Sequence, residues 1–196
     1  ITVVSELGVN KIRFTGGEPL LRKDLVELVE KTSLISGINS VNMTTNGVLL
    51  KQYAADLQGS GLSGINISID TLNPEKYIQI TRRDEVGRAL EGLEAAKTAG
   101  ILSIKINVVA LRGFNDSEIV EFVELTKNYP LTVRFIELMP FDAHQIWKTG
   151  TFFSAENIQK ELKNHFPDIK TTDGTATEHA IFQVPGYAGK GAVIPS

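Results

Sequence analysis

The chain has 196 residues, with 20 Lys+Arg against 23 Asp+Glu and a formal net charge of −3. Its 42% hydrophobic and 22% charged content is that of a globular chain able to bury one core, and excludes disorder, collagen-like sequence and coiled coil. It has no basic stripe of the kind nucleic acid demands, no apolar stretch near the ~20 residues of a membrane-crossing helix, and no cysteine for a disulfide, a thiolate metal site or a cysteine-held iron–sulfur cluster. Neither nucleic acid nor membrane is expected as a partner.

The sequence opens at Ile1 within a helical run reaching Leu7, its methionines are Met43 and Met139, and Ala192 to Ser196 reads as a strand cut in mid-course. A segment of a longer protein is the expectation. From Lys11 onward, β-rich runs alternate with amphipathic helical ones. Lys11–Thr15, Val41–Thr45, Ile65–Ile69, Ile104–Val109 and Val133–Leu138 are predicted strands, each rich in Ile, Val, Phe or Thr. Between them, helices are predicted after Pro19 (Leu25, Val26, Leu28, Val29), from Leu49 to Leu57, and from Val86 to Ala96 with Gly100 as C-cap. A fourth opens at Asn115-Asp116-Ser117, which is N-cap chemistry, and carries Ile119, Val120, Phe122, Val123 and Leu125.

Repeated βα units with short connections imply parallel strands, hence an α/β barrel, a part-barrel or a doubly wound sheet. The strands carry a polar alternating set: Arg13 and Thr15; Asn42, Thr44 and Asn46; Asn66, Ser68 and Asp70; Ser103, Lys105 and Asn107; and Glu137. Doubly wound sheets and closed barrels both want apolar residues there. A polar face repeated over four strands points instead to a wide or incomplete barrel around a polar ligand. After Pro140 the alternation stops. Phe141–Thr151 reads as a loop, Ser154 as the cap of a helix to Phe166, and Ile181–Val184 and Ala192–Ile194 as short strands after a polar stretch.

Thr15-Gly16-Gly17-Glu18-Pro19-Leu20 marks the end of one strand and the start of a helix. Paired glycines there let the backbone approach a ligand, and a carboxylate can accept from a ligand amine. Arg13 and Lys105, pointed into a barrel, need an anion such as a triphosphate or carboxylate. Asp70 and Glu137 are inward candidates for pairing with those cations. Arg82-Arg83-Asp84 reads as an exposed charged face. His144, His165 and His179 share no metal-ligand spacing, and Gly189-Lys190-Gly191 lacks P-loop spacing and reads as a loop.

The Gly16-Gly17-Glu18-Pro19 run resembles the S-adenosylmethionine (SAM) motif of radical SAM enzymes. Together with Thr44-Thr45-Asn46-Gly47, Ile65-Asn66-Ile67-Ser68-Ile69-Asp70-Thr71-Leu72, Lys105-Ile106-Asn107-Val108-Val109 and Arg134-Phe135-Ile136-Glu137-Leu138-Met139-Pro140, it resembles the molybdenum cofactor biosynthesis protein A family, the GTP 3′,8-cyclases. The resemblance implies an α/β fold, a partial (β/α)6 TIM-like barrel truncated at both ends. Residues 1–140 would be the barrel core without its first strand and cluster loop, and 141–196 the start of a C-terminal extension. It implies SAM contacts at Gly16, Gly17, Glu18, Ser68 and Met139, and GTP contacts at Arg13, Thr44 and Lys105.

The same resemblance implies two [4Fe-4S] clusters whose cysteine ligands are absent from this chain, so the isolated segment is expected to be inactive. In the complete enzyme, SAM-derived radical chemistry converts GTP to (8S)-3′,8-cyclo-7,8-dihydroguanosine 5′-triphosphate in molybdenum cofactor biosynthesis. An electron donor, a downstream cyclic pyranopterin monophosphate synthase and a homodimer follow from the family. So does a mitochondrial matrix location, if Pro130–Asp142 is of the eukaryotic kind, or otherwise a cytoplasmic one. The alternatives are a cysteine-free, non-catalytic paralogue that binds SAM or nucleotide, and another radical SAM enzyme.

Overall fold

The computed structural model describes residues 1–139, 152–174 and 180–196, with Asp173 described in its backbone only. The chain divides into two compact units, Ile1–Ser68 with Asp84–Lys105, and Ile69–Arg83 with Ile106–Ser196.

The first unit holds α1 (Thr2–Glu6), β1 (Lys11–Phe14), α2 (Leu25–Ser33), β2 (Ser40–Thr45), α3 (Leu50–Gly59), β3 (Leu62–Ser68) and, after a segment belonging to the other unit, α5 (Val86–Thr98). β1 and β2 pair in parallel, as do β2 and β3, with Arg13 beside Asn42 and Thr44 beside Asn66. This is the ladder expected when each strand returns through a helix. Met43, Ile65 and Ile67 lie fully buried on the opposite face, and so do Leu50, Leu57 and Leu93 on the helices. Pro19 does not start α2. It opens a separate 3₁₀ turn, Pro19–Leu21, capped by Glu18. Gly100, at φ +75°, ends the α5 helix as predicted.

Two glycines permit a contact that no side chain would. A Cβ on Gly92 of α5 would stand 2.2 Å from the carbonyl oxygen of Gly47, and one on Gly47, whose φ is +81°, would stand 2.8 Å from Ile67 Cγ2. α5 therefore lies directly on the turn that follows β2.

The second unit contains α4 (Pro74–Thr81), α6 (Ile119–Glu124), β5 (Thr132–Glu137), α7 (Ala155–His165), β6 (Lys170–Asp173), β7 (Ala180–Gln183) and β8 (Lys190–Ile194). β4 (Ser103–Ala110) begins in the first unit and ends in the second. β8 pairs with β5 in parallel, Val133 beside Gly191, while β7 joins β8 and β6 joins β7 antiparallel. Phe135 stacks on Phe182 at 6.3 Å and meets Phe122 edge-on at 6.3 Å, so the core gathers behind β5.

Several expectations change here. α4 carries no strong apolar stripe, and its signal is the Asn73-Pro74 pair: Asn73 Oδ1 accepts from Glu75 N and Lys76 N. Asn115 is not the N-cap of α6. A 3₁₀ turn, Asp116–Glu118, precedes that helix, and the Asn115 side chain turns to other groups. The polar stretch after Phe166 contains β6, and Lys190 and Gly191 belong to β8 rather than to a loop. Ser154 caps α7 as predicted, its Oγ accepting from Asn157 N. His165 lies on the surface near Glu161, Arg82 caps α4 in the left-handed region, and the residue 141–151 loop, His144 and His179 lie outside the described residues.

Candidate functional site

In the first unit the predicted polar alternation is real. Arg13, Asn42, Thr44, Asn66 and Ser68 share one face of β1–β3, because parallel register keeps same-parity residues together. Arg13 Nη1 donates to Thr44 Oγ1 over a long 3.4 Å, and burial lowers the Arg13 pKa from its ordinary value. Lys105, half-buried near the start of β4, keeps the same alternation between buried Ile104 and Ile106.

The glycine-rich turn leaves β1 at this face. Gly16 has φ +142°, a region that favours glycine, and a Cβ on either Gly16 or Gly17 would meet no atom within 4 Å. The turn therefore exposes bare backbone with room for a ligand. Glu18 does more than the sequence reading assigned to it. Its Oε1 accepts from Leu20 N at 3.1 Å and Thr45 Oγ1 at 2.6 Å, and its Oε2 from Asn46 N at 2.8 Å. Thr45 Oγ1 in turn accepts from Gly47 N at 3.1 Å. The acid of the motif ties the turn after β1 to the turn after β2, so its carboxylate orients both loops whatever else it holds.

In the second unit, Asn107 Oδ1 receives both Nε and Nη2 of Arg134, at 2.9 and 2.7 Å. Arg134 was not among the candidate residues, although strand alternation could have found it: it stands between buried Val133 and Phe135. The same alternation corrects Glu137, which was expected on the polar face with Asp70. Glu137 shares the parity of Val133 and Phe135, is buried, and accepts from Ala155 N at the start of α7 and from Ser196 N (2.9 Å) and Oγ (3.1 Å). It is a structural clamp. Asp70 is half-buried, with no cation paired to it among the described residues, and Met139, just beyond β5, is 46% exposed.

Burial pushes the Glu137 carboxyl up, but the hydrogen bonds from Ser196 and Ala155 outweigh it and leave the pKa below its ordinary value. A depressed folded-state pKa contributes stability above the unfolded carboxylate pKa and loses it as pH falls through the folded one. Thermal melts from about pH 7 down to about pH 3 should therefore show an acid decline that Glu137→Gln flattens. An unaltered acid limb in the variant would refute the assignment.

Among the described residues no group of three His, Asp or Glu side chains could hold a metal ion. Without a cysteine, nothing in these 196 residues fits a cysteine-ligated cluster.

The chain matches the Radical SAM superfamily over residues 2–126. It belongs to that superfamily. Its curated relatives include the GTP 3′,8-cyclase of Chlorobaculum tepidum, 46% identical over 196 residues, covering 100% of this chain and 59% of that protein. The GTP 3′,8-cyclase of Peptoclostridium acidaminophilum is 43% identical over 190 residues, covering 96% of this chain and 58% of its own. Molybdenum cofactor biosynthesis protein 1 of Bos taurus is 40% identical over 190 residues, 96% of this chain and 30% of its own. The chain thus spans three-fifths or less of these relatives, and the predicted resemblance to the GTP 3′,8-cyclases holds across nearly all of it. Two solved structures share the fold: TYW1 with a lysine-pyruvate adduct bound (TM-score 0.54, 20% identity, 90% of this chain and 57% of that one) and HydG, a maturase of the [FeFe]-hydrogenase (TM-score 0.54, 15% identity, 81% and 38%). The α/β architecture with its mainly parallel sheet is the partial barrel of radical SAM enzymes.

Proposed function

We propose that this chain is the ligand-holding part of a GTP 3′,8-cyclase. The observation that carries the reading is the polar face of β1–β3, with Arg13 joined to Thr44, set beside a glycine turn that Glu18 braces. That arrangement suits a nucleotide and a second ligand with an exposed amino-acid end, and the names of the relatives and of the superfamily support reading these as GTP and SAM. Gly16, Gly17, Ser68 and Met139 would hold SAM, with Glu18 keeping the turn in shape. Arg13, Thr44 and Lys105 would hold GTP, the cations facing its phosphates.

In the cyclase reaction SAM, when bound, would supply the hydrogen abstraction from ribose C3′ that lets C3′ join guanine C8. This chain contributes binding and orientation to that chemistry. Cluster ligation, electron delivery and dimer contacts would come from elsewhere in a full-length enzyme, whose product a cyclic pyranopterin monophosphate synthase consumes. The chain by itself would bind without turning over.

Titration calorimetry tests the reading with GTP and S-adenosylhomocysteine as probes. A charge-assisted hydrogen bond lost from a site costs roughly 1.5–3 kcal/mol, so Lys105→Ala should weaken GTP binding by about 10- to 100-fold while leaving S-adenosylhomocysteine unaffected. Unchanged GTP affinity would remove Lys105 from the site, and a wild-type chain that binds neither probe would end the reading.

A further inference from the structure

From the turn that follows β2 in the first unit we infer that Asn46 is a spontaneous modification site, a succinimide-forming asparagine that the folded turn holds unreacted.

Asn46 is the one asparagine of the chain followed by glycine. An asparagine loses its side-chain amide when the backbone nitrogen of the next residue attacks its Cγ, and a glycine in that place leaves the approach unhindered. Here the glycine is imposed by packing. A Cβ at position 47 would stand 2.8 Å from Ile67 Cγ2, the φ of Gly47 is +81°, and α5 lies on its carbonyl oxygen so closely that a Cβ on Gly92 would come within 2.2 Å. The fold therefore requires the reactive pair, with the Asn46 side chain on the exposed end of β2 and Gly47 buried beneath it.

Two hydrogen bonds restrain the attacking nitrogen. Gly47 N donates to Thr45 Oγ1 at 3.1 Å, and Thr45 Oγ1 donates in turn to Glu18 Oε1 at 2.6 Å. Ring closure needs Gly47 N to give up its proton and turn onto Asn46 Cγ, and both moves break the bond to Thr45. The Asn46 backbone is held as well, its N donating to Glu18 Oε2 at 2.8 Å. On the other side of the reaction, Asn46 Oδ1 accepts from Val48 N at 3.0 Å. That bond polarises the carbonyl toward attack, so the restraint rests on Thr45 and on the Glu18 carboxylate behind it.

The chemistry needs no oxidant or reductant. The bond from Gly47 N to Asn46 Cγ forms, and the side-chain nitrogen leaves as ammonia with the proton that Gly47 N releases. Water then opens the ring at Cγ to give aspartate, or at the main-chain carbonyl to give isoaspartate. Aspartate sets a second carboxylate beside that of Glu18, which repels it, while isoaspartate adds a carbon to the main chain between Thr45 and Gly47. Either product works against the brace between the two turns.

Mass spectrometry of the full chain, incubated folded and in urea in mildly alkaline buffer, tests the inference. One tryptic peptide, residues 32–51, carries Asn46 together with Asn39, an internal reference whose following amide, Ser40 N, donates to Asn10 O at 3.2 Å. Asn46 should convert in the unfolded chain, and at least about tenfold more slowly in the folded one, as for a group released only by local opening. Thr45→Val removes the acceptor of Gly47 N and should speed the folded-state conversion by about three- to tenfold, the worth of one hydrogen bond, with Asn39 unchanged. Thr45→Ser keeps the hydroxyl and should keep the slow rate. Glu18→Gln, which leaves one acceptor oxygen where two are used, is the second variant and should also speed Asn46, whether or not Thr45→Val folds. Equal rates in the folded and unfolded chain overturn the inference, as do an Asn46 that stays intact in urea and variants that leave its rate unchanged. A rise at Asn39 equal to that at Asn46 also overturns it, because the variant would then have loosened the whole unit.

Discussion

Glu118→Ala is expected to lower the unfolding free energy by about 3–5 kcal/mol, the range for removing one partner of a buried charged network. Glu118 holds the turn after β3: it accepts from Thr71 Oγ1, which is fully buried, from Leu72 N and from Lys76 Nζ, and its own side chain is only 6% exposed. Lys76 is different: its side chain keeps 29% exposure and can turn outward, so Lys76→Met should cost much less. For a chain of this size about 2–4 °C of melting temperature accompanies each kcal/mol, which places the Glu118→Ala melt roughly 6–20 °C below wild type by calorimetry. A drop of less than about 2 °C would show that the turn holds without its clamp.

The second large effect is expected at Gly92, where two principles oppose each other. Helix propensity alone favours alanine over glycine in the middle of α5 by up to about 1 kcal/mol. The space forbids it, because the new methyl would stand 2.2 Å from Gly47 O and 3.0 Å from Leu50 Cβ. The first of these atoms is backbone and cannot rotate away. Steric cost should win, with Gly92→Ala destabilising by about 2–3 kcal/mol. The displaced turn is the one that Glu18 and Thr45 brace, so GTP affinity should fall as well. Gly87→Ala, on the same helix with nothing within 4 Å of the added carbon, is the matched control and should be neutral or stabilising. Denaturant melts of the two variants decide the matter, and equal stabilities would show that α5 can move off the turn at no cost.

Much of this architecture is legible in the residues. Strand and helix order follow from β-branched runs and helical apolar spacing, and the polar face of β1–β3 follows from counting alternate residues. What escapes is tertiary in origin. Nothing local says that Asn115 turns from capping a helix to bridging Asp70 and Val109, because an Asn before Asp-Ser has the same local chemistry in either role. Glu137 looks like part of a polar face until strand parity is counted from Val133, and its partner Ser196 is 59 positions away. Glu18 shows the opposite case: its motif is visible, yet its hydrogen bonds to Thr45 and Asn46 could not be, since they depend on how β1 and β2 lie in register. Lys105 and Ser68 were placed by alternation and by family resemblance independently, which is why the two make a testable pair.

The Glu18 brace has a consequence for how the loops move. One carboxylate accepts from Leu20 N, Thr45 Oγ1 and Asn46 N, so the turns after β1 and β2 cannot open separately. Amide hydrogen exchange at Leu20 and Asn46 reports that coupling: the two should be protected together, and lose protection together when the carboxylate is removed.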